Sequence, residues 1–168
     1  FGFLRNHDLP FLIGNLDLPL DTYRAIIERK TAALIAAAAE QAVVHAIAPQ
    51  DRNWRGPAAD LFDVAADLGA AFQVQDDILD LAGTQDEVGK PLGVDFALGK
   101  LTLPIIHHRD AGHDIHALAG LSRDEVAREL RSTGSIDAAN AEARARINRA
   151  LGKLGTLPFF GINTVGAE

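Results

Sequence analysis

The 168-residue chain contains no cysteine and no methionine, one tryptophan and one tyrosine. Without cysteine there is no disulfide, no thiolate metal site and no cysteine nucleophile, a composition compatible with a reducing, cytoplasmic compartment. Basic residues are the minority. Lys and Arg total 16 against 23 Asp and Glu, a formal net charge of −7, which gives no global electrostatic reason to bind nucleic acid or an anionic membrane. Long apolar runs are also missing. The longest, Ala32 to Ala39, is too short to span a bilayer. No basic segment followed by an apolar one opens the chain, so no secretory signal is expected. The chain starts at Phe1-Gly2-Phe3 without an initiator methionine, which reads as a processed, trimmed or incomplete polypeptide.

β-branched runs with strict alternation are absent as well. Alanine dominates instead, and Ala and Leu are strong helix formers. With 48% apolar and 23% charged residues, the chain reads as globular and all-α. Residues 1–19 carry Gly, Pro and Asn without a clear period and form an irregular N-terminal segment; residues 20–168 form part of a single domain. Asp21 or Thr22 is expected to cap a first helix running to about Ala48. On it Tyr23, Ile26, Ile27 and Leu34 share one face, and Lys30 falls inside that apolar stripe. Pro57 suits the first turn of a second helix, which Gly83 ends. Gly83 to Lys100 is a long glycine-rich loop of the kind that tends to be functional. A short helix follows from about Thr102 to Arg109. Ser122-Arg123-Asp124-Glu125 fits a capping box, and a last helix spans about Ile136 to Leu154.

The second helix carries Phe72-Gln73-Val74-Gln75-Asp76-Asp77-Ile78-Leu79-Asp80. At roughly 100° per residue, Leu61, Ala65, Leu68, Phe72 and Leu79 form a stripe expected to face the core. Gln73, Asp76 and Asp80 flank it. Asp60, Asp63 and Asp67 lie on the opposite, wet side. A lone acidic cluster of this kind is usually a solvated face. At the edge of a core, carboxylates four residues apart can instead grip one hard cation such as Mg²⁺, which bridges carboxylates to substrate phosphates. The loop beyond shifts the balance: Gly89-Lys90-Pro91-Leu92-Gly93-Val94-Asp95, then Gly99-Lys100-Leu101-Thr102-Leu103-Pro104. Its two lysines can neutralise diphosphate oxygens left over by a metal. Lys30 either snorkels to an edge or meets the same anion. His107, His108, His113 and His116 read as surface or capping residues, because the Glu-x-x-His pairs of di-iron bundles are absent.

These motifs, with Lys30-Thr31-Ala32-Ala33-Leu34 upstream, resemble the second aspartate-rich region of the trans-polyprenyl diphosphate synthases, which include the farnesyl, geranylgeranyl and longer-chain diphosphate synthases. The resemblance covers about Leu16 to Leu154. It implies the isoprenoid-synthase fold, a helical bundle around a central cavity. It also implies Mg²⁺-dependent condensation of isopentenyl diphosphate with an allylic prenyl diphosphate, with Mn²⁺ as a substitute. By the same resemblance Asp76, Asp77 and Asp80 hold metal, and Lys30, Lys90 and Lys100 contact diphosphate oxygens. Thr31 and Gln73 steady the allylic carbocation, and Phe72 lies against the isopentenyl group. A homodimer or a hetero-oligomer is implied.

The first aspartate-rich motif of that family is missing upstream of Lys30, as are the helices that would line the other half of the cavity; full-length members are about twice as long. Two other functions stand beside chain elongation. One is a non-catalytic helical subunit that regulates a partner prenyltransferase; the other is a terpene synthase using related metal chemistry. The Gly-Lys loop with Thr102-Leu103-Pro104 favours elongation over cyclisation.

Overall fold

A computed structural model describes residues 16–47, 52–84, 93, 95 and 98–157. Within them the elements are α1 (Leu20–Ile27), a π-helical turn (Glu28–Ala32), α2 (Ala33–Ile47), α3 (Arg55–Ala82), α4 (Leu103–Asp110), a 3₁₀ turn (Ile115–Leu118), α5 (Arg123–Ser132) and α6 (Ser135–Leu154). The expected all-α architecture holds, with helix limits close to those read from the sequence. Pro19, not Asp21 or Thr22, occupies the position before α1, and no side chain caps that end. The Ser122 capping box is present, Ser122 and Glu125 bonding reciprocally. Much of the Gly83–Lys100 loop, including Gly89 and Lys90, lies outside the described residues.

The first long helix is interrupted. A π turn inserts one residue into the i→i−4 ladder, and the burial pattern records it. Tyr23, Ile27, Ala32, Ala36 and Val43 are the buried positions along α1, the turn and α2. The step from Ile27 to Ala32 is five residues rather than the usual three or four, so the apolar stripe changes register there. An uninterrupted helix would place Lys30 and Leu34 in the stripe, which was the sequence expectation. Instead Lys30 is exposed and Leu34 is 67% exposed.

α3 is the central element, flanked by α2 and α6. It buries small residues, Ala58, Val64, Ala65, Gly69, Ala70, Ala71 and Val74, and so lets its neighbours come close. A Cβ at Gly69 would lie 2.8 Å from the Ala32 Cα and 3.2 Å from its Cβ. The expected core stripe is corrected accordingly: Leu68 and Phe72 are 40% and 64% exposed. With Leu34 and Ile35, also exposed, they form the open apolar side of α2 and α3.

The acidic side of α3 is not simply wet, contrary to the sequence expectation. It meets the cations of α6: Asp67 accepts from Arg149 at 2.8 Å, and Asp63 from Lys153 at 2.5 Å. Arg146 is buried, with Glu28 at 3.4 Å, Asp67 at 3.7 Å and Glu142 at 3.7 Å around it. Glu142 takes a bidentate pair from Arg24, both bonds 2.9 Å, tying α1 to α6; hydrogen bonding to Arg24 holds the Glu142 carboxyl below its usual range. Two arginines of α5 close the far end of α3. Arg123 donates to the Gly83 carbonyl at 3.0 Å, and Arg131 to the Ala82 carbonyl at 2.7 Å.

The histidine expectation is corrected at one position. His108 is buried, its Nδ1 3.0 Å from the Thr133 hydroxyl, its ring stacked on His113 at 4.6 Å. Burial, and then the neighbouring His113, hold its pKa below the ordinary value.

Two predictions follow from this packing. Gly→Ala inside a helix normally stabilises by about 0.5–1 kcal/mol. Gly152→Ala, with nothing within 4 Å of the added Cβ, should show that gain in urea unfolding. Gly69→Ala should instead lose about 1–3 kcal/mol by overpacking against Ala32; equal gains at both sites would contradict the close approach. The second concerns pH. A histidine whose folded pKa is depressed costs stability as pH falls through its unfolded value of about 6.5. Wild type should therefore lose stability relative to His108→Asn between pH 8 and pH 5.5, measured as the difference between their urea midpoints. The difference removes the carboxylate titrations that both proteins share.

Candidate functional site

The aspartate-rich segment occupies the last three turns of α3, and the Lys30-Thr31 segment lies in the π turn beside it. The two meet through a hydrogen bond: the Thr31 hydroxyl donates to Gln73 Oε1 at 2.6 Å. The register slip at the π turn leaves Thr31 half-buried against α3 while Lys30 stands exposed next to it.

The carboxylates have different surroundings. Asp77 is buried and both its oxygens are engaged, Oδ2 by the Tyr23 hydroxyl at 2.7 Å and Oδ1 by Gln73 Nε2 at 3.0 Å. Burial pushes its pKa up to about 6, against the pull of those two donors. Burial and the adjacent Asp77 push the Tyr23 phenol far upward, so Tyr23 keeps its proton. Asp80 is buried too. Its Oδ2 accepts from the Asp95 N–H at 3.0 Å, and its carbonyl accepts from the Gly93 N–H at 2.9 Å. Asp80 thus anchors the later part of the glycine-rich loop, at Gly93 and Asp95. Gly93 takes φ 75°, a left-handed conformation that favours glycine. Asp76 is partly exposed.

Lys100 pairs with Asp95, and the Asp95 backbone is held by Asp80. The loop lysine and the aspartate helix are thereby joined through two links. Phe72 projects from the open side of α3. Lys90 lies outside the described residues.

The oxygen-only donor set is of the kind that hard divalent cations such as Mg²⁺ accept. Asp76 and Asp80 stand four residues apart on one flank of α3, and two carboxylates match the partial shell that Mg²⁺ accepts before phosphates and water complete it. Among the described residues no group of three or more His, Asp or Glu side chains is gathered as a metal site, so these residues offer part of a shell.

Tyr23 and Asp95 are the site residues that sequence reasoning passed over as such. Tyr23 reads as one more member of an apolar stripe. The available signal was that a buried tyrosine hydroxyl needs a partner and that this is the only tyrosine. No helix among the described residues is long and apolar enough to cross a membrane.

Known proteins resemble this chain in sequence and in fold. The chain is 33% identical over 149 residues to heptaprenyl diphosphate synthase component 2 of Geobacillus stearothermophilus, covering 84% of this chain and 45% of the relative. It is 33% identical over 147 residues to geranylfarnesyl diphosphate synthase of Natronomonas pharaonis, covering 84% of this chain and 42% of the relative. The chain thus spans about half the length of the curated relatives it matches. Among solved structures, the polyprenyl synthase of Caulobacter crescentus, complexed with calcium and isoprenyl diphosphate, superposes with a TM-score of 0.75 at 31% identity, over 89% of this chain and 47% of that one. The Staphylococcus aureus heptaprenyl diphosphate synthase gives 0.73 at 30% identity, over 90% and 50%. The polyprenyl synthetase family profile matches residues 8–131, and with these relatives it shows that the chain belongs to the polyprenyl synthetase family.

Proposed function

We propose that this chain supplies the second acidic motif and the diphosphate-binding loop of a Mg²⁺-dependent prenyltransferase, which elongates an allylic prenyl diphosphate with isopentenyl diphosphate. The observation that carries the reading is the 2.6 Å bond from Thr31 to Gln73. It joins the Lys30-Thr31 turn to the aspartate helix across 42 residues of sequence. Family membership and the relatives named as prenyl diphosphate synthases support it.

In the proposed reaction the allylic C–O bond breaks, and its electron pair leaves with pyrophosphate. The π pair of isopentenyl diphosphate forms the new C–C bond. A proton is then lost beside the resulting cation, to the departing pyrophosphate. The protein needs no nucleophile, consistent with the absence of cysteine. Bound Mg²⁺ would supply positive charge to the leaving diphosphate. Asp76 and Asp80 are the residues to hold it. Exposed Lys30 and loop residues Lys90 and Lys100 bind diphosphate oxygens, with Lys100 held ready by Asp95. Thr31 and Gln73 stand near the allylic end. Phe72, on the open apolar side, contacts the isopentenyl group and excludes water from the cation.

A second reading is that of one helical component in a two-part synthase. Two relatives, from Geobacillus stearothermophilus and Bacillus subtilis, are named as component 2 of heptaprenyl diphosphate synthase. The exposed Leu34, Leu68 and Phe72 fit a face that a further helical segment covers, whether on the same chain or on a partner. Both readings predict negligible elongation by the 168-residue polypeptide alone.

Mg²⁺ and a bisphosphonate analogue together should raise the thermal midpoint of the chain clearly more than either alone. Asp76→Ala and Lys30→Gln should abolish or sharply reduce that joint stabilisation. Asp63→Ala, which loses an exposed pair with Lys153, should retain it. Loss of the effect in all three variants, or no joint effect in wild type, would count against the site.

A further inference from the structure

The buried Asp77 has a donor on each of its carboxylate oxygens. Four side chains are linked in series: Tyr23 hydroxyl to Asp77 Oδ2 at 2.7 Å, Gln73 Nε2 to Asp77 Oδ1 at 3.0 Å, and Thr31 Oγ1 to Gln73 Oε1 at 2.6 Å. The direction of each bond follows from chemistry. An ionised carboxylate only accepts. Gln73 must therefore turn its NH₂ to Asp77 and its carbonyl to Thr31. A carbonyl oxygen also only accepts, so Thr31 must spend its single hydroxyl proton on Gln73. What remains on Thr31 is lone pairs alone, on a half-buried residue beside exposed Lys30 and the open side of α2 and α3.

We propose that Asp77, held by Tyr23, is a positioning residue that sets the hydrogen-bond polarity of Gln73 and Thr31, so that the Thr31 oxygen faces an allylic cation with its lone pairs. This rests on the prenyltransferase reading for the identity of the cation, and on the geometry for the polarity. Electrostatic stabilisation needs dipoles already aimed where charge develops. A freely rotating threonine hydroxyl would turn its proton toward bulk water or a diphosphate oxygen in part of the population. The relay removes that freedom from inside the core, without placing a second anion beside the leaving group. Tyr23 completes the arrangement by occupying the outer carboxylate oxygen, which leaves Asp77 only one direction from which to take the glutamine amide.

Asp77→Asn tests this with almost no change of shape. Asparagine can keep its carbonyl on one side only. If its NH₂ faces Gln73, the glutamine amide flips and its own NH₂ meets Thr31, which then accepts and frees its proton. Tyr23→Phe keeps the ring and removes only the donor. Two measurements on the 168-residue chain read the outcome. The first is NMR of the Thr31 hydroxyl and the Gln73 side-chain amide. Wild type should show a slowly exchanging Thr31 hydroxyl proton. Asp77→Asn should lose it and shift the Gln73 amide pair, and Tyr23→Phe should broaden both although Tyr23 does not bond to Thr31. The second is the ratio of affinities, with Mg²⁺ present, for a bisphosphonate bearing an ammonium at the allylic carbon and for its neutral carbon isostere. Wild type should prefer the ammonium by about tenfold, in keeping with a hydrogen bond to a charged group. Asp77→Asn and Thr31→Val should each bring the ratio near one while binding of the neutral isostere stays within about twofold. An unchanged Thr31 signal in Asp77→Asn, or a wild-type ratio near one, would overturn the proposal. Failure of wild type to bind either compound would instead overturn the prenyltransferase reading, and with it the cation that the oxygen is meant to face.

Discussion

One extra residue in the first long helix governs the rest of the molecule. Between Ile27 and Ala32 the ladder takes a π turn, and the buried face moves round by one position. Tyr23 and Ile27 then pack inward on α1, Ala32 at the end of the π turn and Ala36 on α2, and Glu28, Arg29 and Lys30 are turned out. Thr31 reaches Gln73 only because of that slip. Lys30 leaves the stripe for the same reason, so an ammonium group comes to stand beside an acidic helix without being buried. Burying it would cost several kcal/mol; the slip avoids this.

The second constraint is closeness. α3 meets the π turn at Gly69 and Ala32, where there is no room for a further methyl group. Small residues along the buried face of α3 bring backbones together, so short side chains can span the gap. Threonine, glutamine and aspartate link two helices and the tyrosine of α1 in a continuous polar series. Larger residues would hold the helices too far apart for threonine to bridge. The cost of a polar core is met by full pairing at Asp77, whose two oxygens each have a donor, in line with the rule that buried polar groups are hydrogen-bonded.

Helix order and approximate limits were legible from composition, from Pro57 and Gly83, and from the Ser122 capping box, but the division of the first long helix and the 3₁₀ turn Ile115–Leu118 were not. The acidic motif, the loop lysines and the Lys30-Thr31 segment were legible as motifs. Which face each residue occupies was not. Helical wheels assume one period throughout, and the π turn breaks that assumption between Ile27 and Ala32. Leu34 and Lys30 were misplaced for that single reason. The stripe of α3 failed differently. Leu68 and Phe72 are the larger apolar groups, and hydrophobicity alone assigns them to the core. α3 instead buries Gly69, Ala70 and Ala71 at this level and Val74, Ile78 and Leu81 further along, and leaves Leu68 and Phe72 on the open side. Asp63 and Asp67 could not be matched to Lys153 and Arg149 from sequence, because those pairs are 90 and 82 residues apart and depend on how α6 lies along α3.

The arginines of α5 carry a consequence for the end of α3. A helix of this length directs the partial negative charge of its dipole toward its last carbonyls. Those carbonyls belong to Asp80, Ala82 and Gly83, at the edge of a site read as taking a diphosphate. A bare C-terminus there would repel the anion and add to the charge of three aspartates. Arg123 and Arg131 place guanidinium groups on the Gly83 and Ala82 carbonyls. The negative pole of the acidic helix is therefore neutralised from behind, by side chains that never need to touch a ligand.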